Sequence, residues 1–235
     1  MPELPEVQTT VNGLQSKVLH RTFDFVWFDW KKMVKKPASF SAFEKQLKGK
    51  KILRVWRRAK NVIFELSDGY SLLVHMKMTG HLMVGKWKQE GKTWVPVENE
   101  ALEEKINGYL HIIFFLDDPP SHKASAGRSA QMIALSDVRK FAKIELRQTG
   151  EMLASPEFKK LGPEPLEKSF TLAKFLELFE NLPNTMLGKK GKIKQVIMEP
   201  NVIAGIGNIY ASEALWWAKI HPEKKAGVLD KKELS

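Results

Sequence analysis

The hydrophobic period changes twice along this chain, and those two changes bound its fold more tightly than any other feature. Residues 5–19 carry Val7, Val11, Leu14 and Val18 at the spacing of one helical face, with Pro5 tolerated in the first turn, so an amphipathic helix is predicted almost at the terminus. From Ile52 onward the period falls to two, in the runs Ile52–Trp56, Val62–Leu66 and Ser71–His75, and Asp68-Gly69 between the last two reads as a tight hairpin turn. Further strand-like runs follow at Tyr109–Leu116, Gln131–Leu135 and Ala142–Arg147, while Asp117–Ala130, rich in Pro, Ser, Lys and Gly, reads as a polar loop. After Gly150 the period returns to that of helices. Thr171–Leu182 places Leu172, Phe175, Leu176, Phe179 and Leu182 on one face, and helices at about 189–198 and 209–219 flank a turn-rich segment, 199–208.

The pattern predicts an α+β chain: a β-sandwich with a leading α-helix over residues 2–150, a linker over 151–162, and a helical domain with a helix-two-turn-helix arrangement over 163–235. No apolar run approaches the ~20 residues of a membrane helix. The opening Met1-Pro2-Glu3-Leu4-Pro5-Glu6 lacks the features of a secretory signal, and the chain has no cysteine, so a cytoplasmic, reducing location is expected. The same lack of cysteine excludes disulfides, thiol nucleophiles and cysteine-ligated zinc within these residues. Thirty-eight Lys and Arg against 27 Asp and Glu give a formal net charge of +11, which suits a polyanionic partner, nucleic acid first, although a basic balance also serves plain solubility.

Position 2 carries the first chemical suggestion. Proline there permits removal of Met1, which leaves a secondary α-amine, and an α-amine with a pKa near 8 is partly neutral at physiological pH. Such an amine can attack the anomeric carbon of a deoxyribose, expel the base and leave an iminium ion that acidifies the adjacent sugar proton. Glu3 and Glu6 lie near enough in sequence to move the protons, yet a carboxylate at a helix start can equally serve the helix dipole alone.

Four ordered motifs sharpen this reading. Pro2-Glu3-Leu4-Pro5-Glu6-Val7, Arg57-Arg58-Ala59-Lys60, His75-Met76-Lys77-Met78-Thr79-Gly80 and Gly205-Ile206-Gly207-Asn208-Ile209-Tyr210-Ala211-Ser212-Glu213 together resemble the bacterial formamidopyrimidine-DNA glycosylase family, with shorter agreements at Leu161–Leu166 and Ile220–Pro222. The resemblance implies a monomeric enzyme of base-excision repair acting on damaged double-stranded DNA, with no cofactor for the chemistry. Pro2 would be the Schiff-base nucleophile, Glu3 would assist sugar opening, Glu6 would support the site, and Lys60 and Asn208 would bind phosphates. Met78, Arg139 and Phe141 would fill the gap left by the extruded nucleotide, where an inserted wedge offsets part of the few kcal/mol of unstacking. His75, Lys192 and Tyr210 would contact DNA, and Glu213 would take part in lesion recognition. Lys189, Lys190, Lys192 and Lys194, placed at a helix start, would oppose the dipole unless phosphate lay nearby.

The resemblance also has departures. Asp137-Val138-Arg139-Lys140-Phe141-Ala142 stands where the family has Asp-Pro-Arg-Arg-Phe-Gly, and Lys77 replaces the glycine beside Met78. The family continues into a four-cysteine zinc finger, so structural zinc is expected of full-length members, whereas this chain reaches Ser235 with no ligands for it. A C-terminally truncated fragment of weakened activity is therefore expected. The expected reaction is a bifunctional one, removal of 8-oxoguanine and formamidopyrimidines followed by β,δ-elimination. The rivals are an endonuclease VIII-like preference for oxidised pyrimidines and a catalytically weak DNA-binding fragment.

Overall fold

A computed structural model describes residues 2–97, 102–117 and 131–234. Most of the loop expected at Asp117–Ala130 lies outside them. The chain forms two compact units, the first of residues 1–57 and 61–153, the second of Arg58–Lys60 with Ala154–Ser235.

The first unit opens with α1, Leu4–Val18. Its stripe of Leu4, Val7, Val11, Leu14 and Val18 is buried, as the periodicity requires. β1 (Phe23–Phe28) and β2 (Val34–Lys36) come next, then α2 (Phe40–Leu47), which starts where the Ser39 hydroxyl accepts from the Ala42 amide and which buries Phe43 and Leu47. Neither α2 nor β1 was anticipated: an eight-residue helix with two buried positions offers too little period to read.

β3 (Ile52–Arg58), β4 (Asn61–Leu66) and β5 (Tyr70–His75) answer to the alternating runs. Asp68 and Gly69 both take positive φ, 60° and 72°, the geometry expected of a tight hairpin turn with this pair. β6 (Gly80–Gly85), β7 (Trp87–Glu90), β8 (Thr93–Pro96), β9 (Leu110–Leu116), β10 (Met132–Asp137) and β11 (Lys143–Gln148) complete the strands among the described residues. They pair into a four-stranded sheet, β1-β9-β10-β6, a five-stranded sheet, β2-β11-β5-β4-β3, and the separate hairpin β7-β8. One apolar cluster, including Phe23, Phe43, Phe64, Phe114, Ile144 and Val7, Val11, Leu14 and Val18 of α1, joins the two large sheets into the expected sandwich.

β5 and β11 are neighbours in one sheet, and β6 and β10 are neighbours in the other. The chain therefore crosses between sheets twice side by side, through Met76–Thr79 and through Val138–Ala142. The strand ends flanking the crossings pair in register, His75 with Lys143 and Gly80 with Asp137, which holds the two crossings next to each other.

α3 (Thr149–Ala154) and α4 (Pro156–Lys159) occupy the stretch expected to be a linker. The second unit continues with α5 (Leu172–Glu180), α6 (Ile193–Met198), α7 (Asn208–Trp217) and α8 (Lys231–Leu234). Thr171 caps α5, but only Phe179 of that helix and Leu182 beyond it are buried, whereas Leu172, expected on the buried face, is exposed. The core of this unit is Phe179, Leu182, Ile193, Val196, Ile203, Ala211 and Leu215 with their neighbours. Among the described residues no helix is long and apolar enough to cross a membrane.

Candidate DNA-repair site

At the start of α1, Glu3 is the N-cap, with extended backbone, and its amide donates to Glu6 Oε2 at 2.8 Å while its own carboxylate accepts from the Glu6 amide. This reciprocal pair fixes the chain direction at Pro2, which is half-buried. Glu6 thus has a structural task whatever its chemistry. Glu3 goes further than a cap needs: it is only 1% exposed, an unusual position for a carboxylate.

The three residues expected to fill the gap in the duplex sit on the two sheet crossings. Met78 is 41% exposed and Phe141 52%, so neither is a core side chain although both residue types are usually buried. Arg139 is exposed too, its guanidinium 4.7 Å from the centre of the Phe141 ring. The two turns are tied together by Asp137, a fully buried residue for which the sequence suggests no task. Its Oδ1 accepts from the Thr79 hydroxyl (2.5 Å) and the Arg139 amide (3.2 Å), and its Oδ2 from the Ala142 amide (2.8 Å). His111, also buried, is hydrogen-bonded through Nε2 to the Asp137 carbonyl at 3.1 Å and through Nδ1 to Asp29 at 2.7 Å. A histidine interrupting the apolar run Leu110–Leu116 was the available signal for this network.

Gly80 closes the first turn by donating to the Met76 carbonyl at 3.1 Å, and a Cβ there would lie 2.4 Å from that oxygen. Lys77 has φ 58°, a left-handed conformation that costs an L-residue roughly 1–2 kcal/mol and that explains why the family motif carries glycine. The Lys77 amide donates to His75 Nδ1 at 3.1 Å, which leaves the ring proton on Nε2.

In the second unit, Lys60 is half-buried beside Arg58 and Ala59. Buried Glu164 holds this segment: its Oε1 accepts from Arg58 Nη1 (2.9 Å) and the Ala59 amide (2.6 Å), while Arg58 Nη2 donates to the carbonyls of Leu161 and Gly162. Gly162 in turn donates to the Pro200 carbonyl at 2.9 Å, and a Cβ on it would lie 2.4 Å from the Val202 oxygen. The Leu161–Glu164 motif is therefore the brace between the Lys60 segment and the turn before α7.

α7 begins at Asn208 with Gly207 as its cap, so Asn208 is the first helical residue and is exposed, not the N-cap that its residue type readily supplies. Tyr210 and Glu213 are exposed on the same helix. The lysine cluster differs from expectation. α6 starts only at Ile193 and spans six residues, so Lys189 and Lys190 lie in the preceding turns and Lys192 is the N-cap. Lys192 forms an ion pair with Glu223, whose carboxyl it holds below the ordinary carboxylate range, and Lys194 Nζ donates to Ser212 Oγ at 2.8 Å. Residue type and count alone could not show these partners.

Known proteins similar to this chain match it over nearly its whole length. The model of the formamidopyrimidine-DNA glycosylase N-terminal domain matches residues 1–144, and that of the family's H2TH domain matches residues 161–235. The chain belongs to the formamidopyrimidine-DNA glycosylase family. It is thereby placed among the DNA glycosylases of base-excision repair. The formamidopyrimidine-DNA glycosylase of Desulfitobacterium hafniense is 33% identical over 239 residues, spanning 100% of this chain and 73% of the relative. That of Halalkalibacterium halodurans is 34% identical over 226 residues, spanning 96% and 70%. Among solved structures, a complex of Lactococcus lactis Fpg with DNA containing an abasic site is similar, with TM-score 0.75 and 30% identity over 99% of this chain and 73% of the other. A complex of the wild-type Lactococcus enzyme with DNA containing N7-benzyl-Fapy-dG also has TM-score 0.75, at 31% identity over the same shares. The zinc expected of full-length family members finds no fit in these residues. There is no cysteine, and among the described residues no group of three His, Asp or Glu side chains could hold a metal ion.

Proposed function

We propose that this chain is a bifunctional DNA glycosylase and abasic-site lyase that removes oxidised purines, 8-oxoguanine and formamidopyrimidines, from duplex DNA. The observation that carries this reading is the exposure of Met78, Arg139 and Phe141 together on two turns locked by a buried carboxylate. Apolar and cationic side chains held rigidly in water suit insertion into a duplex from which a nucleotide has been turned out.

The chemistry begins at the start of α1. The nitrogen lone pair of Pro2, freed by loss of Met1, forms a bond to C1′ as the glycosidic bond breaks and the base departs with a proton. The nitrogen then sheds its proton and the C1′–O4′ bond opens, the ring oxygen taking up a proton; the iminium so formed withdraws electrons from C2′, a proton leaves there, and the 3′ phosphate is expelled; a second elimination releases the 5′ phosphate. Glu3 is the group to protonate the sugar oxygen and to receive protons later, since its burial strengthens each interaction it makes with a developing charge. Glu6 keeps Glu3 and Pro2 in place. Lys60, Asn208, His75, Tyr210 and Lys192 are assigned to the DNA backbone, and Glu213 to the lesion. For Lys192 that role requires exchange of its Glu223 partner for a phosphate.

Borohydride reduction tests the reading. With a duplex containing 8-oxoguanine, the protein is expected to become covalently attached to DNA, and peptide mapping is expected to find the adduct on Pro2. An adduct on a lysine, or none, would refute the mechanism. Faster nicking of an oxidised pyrimidine than of 8-oxoguanine would refute the substrate.

A further inference from the structure

Next to the second crossing lies a basic segment that the glycosylase chemistry does not use. After β1 the chain runs Trp30-Lys31-Lys32-Met33-Val34-Lys35-Lys36, and β2 then pairs in parallel with β11, Val34 beside Ile144 and Lys36 beside Glu145. This register sets residues 30–33 alongside Lys140–Lys143. Lys31, Lys32, Lys35, Lys36, Arg139 and Lys140 are all exposed.

The cations are arranged, not merely numerous. The Trp30 ring receives two of them, Lys32 Nζ at 5.2 Å and Lys140 Nζ at 4.7 Å from its centre, which links the basic segment to the wedge turn itself. Lys35 Nζ donates to the Lys32 carbonyl at 2.6 Å, and Lys31 Nζ lies 5.3 Å from the centre of the Phe28 ring. Lys140 reaches its position from a backbone of φ 58°, with its amide donating to the Asp137 carbonyl at 3.1 Å. The neighbouring carboxylates are engaged elsewhere. Asp29 pairs with His111, and buried Glu145 is bound by Lys143 and Arg147. Like charges gathered in this way repel one another unless a polyanion lies across them.

We propose that Lys31, Lys32, Lys35 and Lys140, the second and last of them ordered on Trp30, form a phosphate-binding strip continuous with the Val138–Ala142 turn, which grips the duplex backbone beside the gap. This inference rests on the glycosylase reading for its partner. Its strength is set by counterion release: each phosphate neutralised contributes about 0.9 to the slope of log affinity against log salt.

The test compares three proteins on a duplex with a stable abasic-site analogue, by fluorescence anisotropy from about 50 to 300 mM salt. They are the unaltered chain, the triple variant Lys31→Ala, Lys32→Ala, Lys35→Ala, and a control of equal charge, Lys45→Ala, Lys88→Ala, Lys92→Ala. All six positions lie at the surface, so the variants are expected to fold. The strip variant is expected to lose about 2 to 3 from the salt slope and to bind at least tenfold more weakly at about 100 mM salt, with the control close to the unaltered chain. An unchanged slope in the strip variant, or an equal loss in the control, would overturn the proposal. Failure of the unaltered chain to bind or be trapped would instead strike at the glycosylase reading beneath it.

Discussion

Asp137 is the residue whose removal discriminates most sharply between a wedge that is built and one that is merely exposed. Asp137→Ala deletes both carboxylate oxygens, so the buried Ala142 amide and the Thr79 hydroxyl lose their acceptor, while the Arg139 amide keeps a 3.2 Å contact to Thr79 Oγ. One orphaned buried amide and one partly buried hydroxyl cost about 2–4 kcal/mol together. For a unit of this size that is a fall in Tm of roughly 5–15 °C. Asp137→Asn is expected to behave differently. Its oxygen can face Ala142 and its NH2 can donate to Thr79 Oγ, so the buried amide keeps its acceptor, only the partly buried Thr79 hydroxyl proton has to find another, and the cost falls to about 1–2 kcal/mol. Thermal unfolding followed by circular dichroism measures the stability, and a 2-aminopurine placed opposite the lesion reports duplex opening. The alanine variant should lose most of the fluorescence rise and the asparagine variant little of it. If Asp137→Ala melted within about 2 °C of the unaltered chain, or if alanine and asparagine were equivalent in both assays, the clamp argument would be wrong.

Three further outcomes concern the second unit and the residues in it proposed to bind phosphate. Lys60→Ala and Asn208→Ala should each weaken binding of lesion and undamaged duplexes alike, and Lys60→Ala should reduce the salt slope by about 1, measured by the same anisotropy titration. Gly162→Ala should destabilise the second unit by roughly 1–3 kcal/mol in urea unfolding, because its new Cβ meets the Val202 oxygen and the backbone of the turn cannot give way without losing the Pro200 bond. Glu223→Gln should release Lys192 and tighten DNA binding by about two- to fivefold at low salt, the modest size expected of an exposed ion pair. A linked pH effect is expected in the unaltered chain. Because Lys192 depresses the Glu223 carboxyl, the pair persists below the ordinary carboxylate range and opens only as pH falls through that lowered value, so DNA affinity at fixed salt should rise there in the unaltered chain and not in Glu223→Gln.

The sandwich and the helical second unit were legible because burial writes a period into sequence. Val7, Val11, Leu14 and Val18 had to face one core, and Val62–Leu66 and Ser71–His75 had to alternate or lie buried between layers. Asp68-Gly69 announced its turn because only a few residue types accept two consecutive positive φ angles. Short elements left no such mark, which is why α2 was missed and α6 was drawn too long. Of the candidate site, the motif residues could be named from order along the chain, but that Met78 and Phe141 lie at the surface, where apolar side chains are usually buried, was decided by the tertiary structure.

What the sequence determined by itself is the set of ingredients: a proline at position 2 before a carboxylate, a surplus of cations, no thiol, and the alternation that closes a sandwich. What only the tertiary structure decided is which of them meet. Asp137 and Thr79 lie 58 positions apart, and Arg58 and Glu164 lie 106 apart. Trp30 and Lys140 belong to different strand connections altogether. Such contacts depend on strand pairing and sheet crossing, which act across distances where local periodicity carries no information. A lysine in a solvated run and a lysine ordered on an indole beside a wedge are the same letter, and their difference is set by the neighbours that folding brings to them.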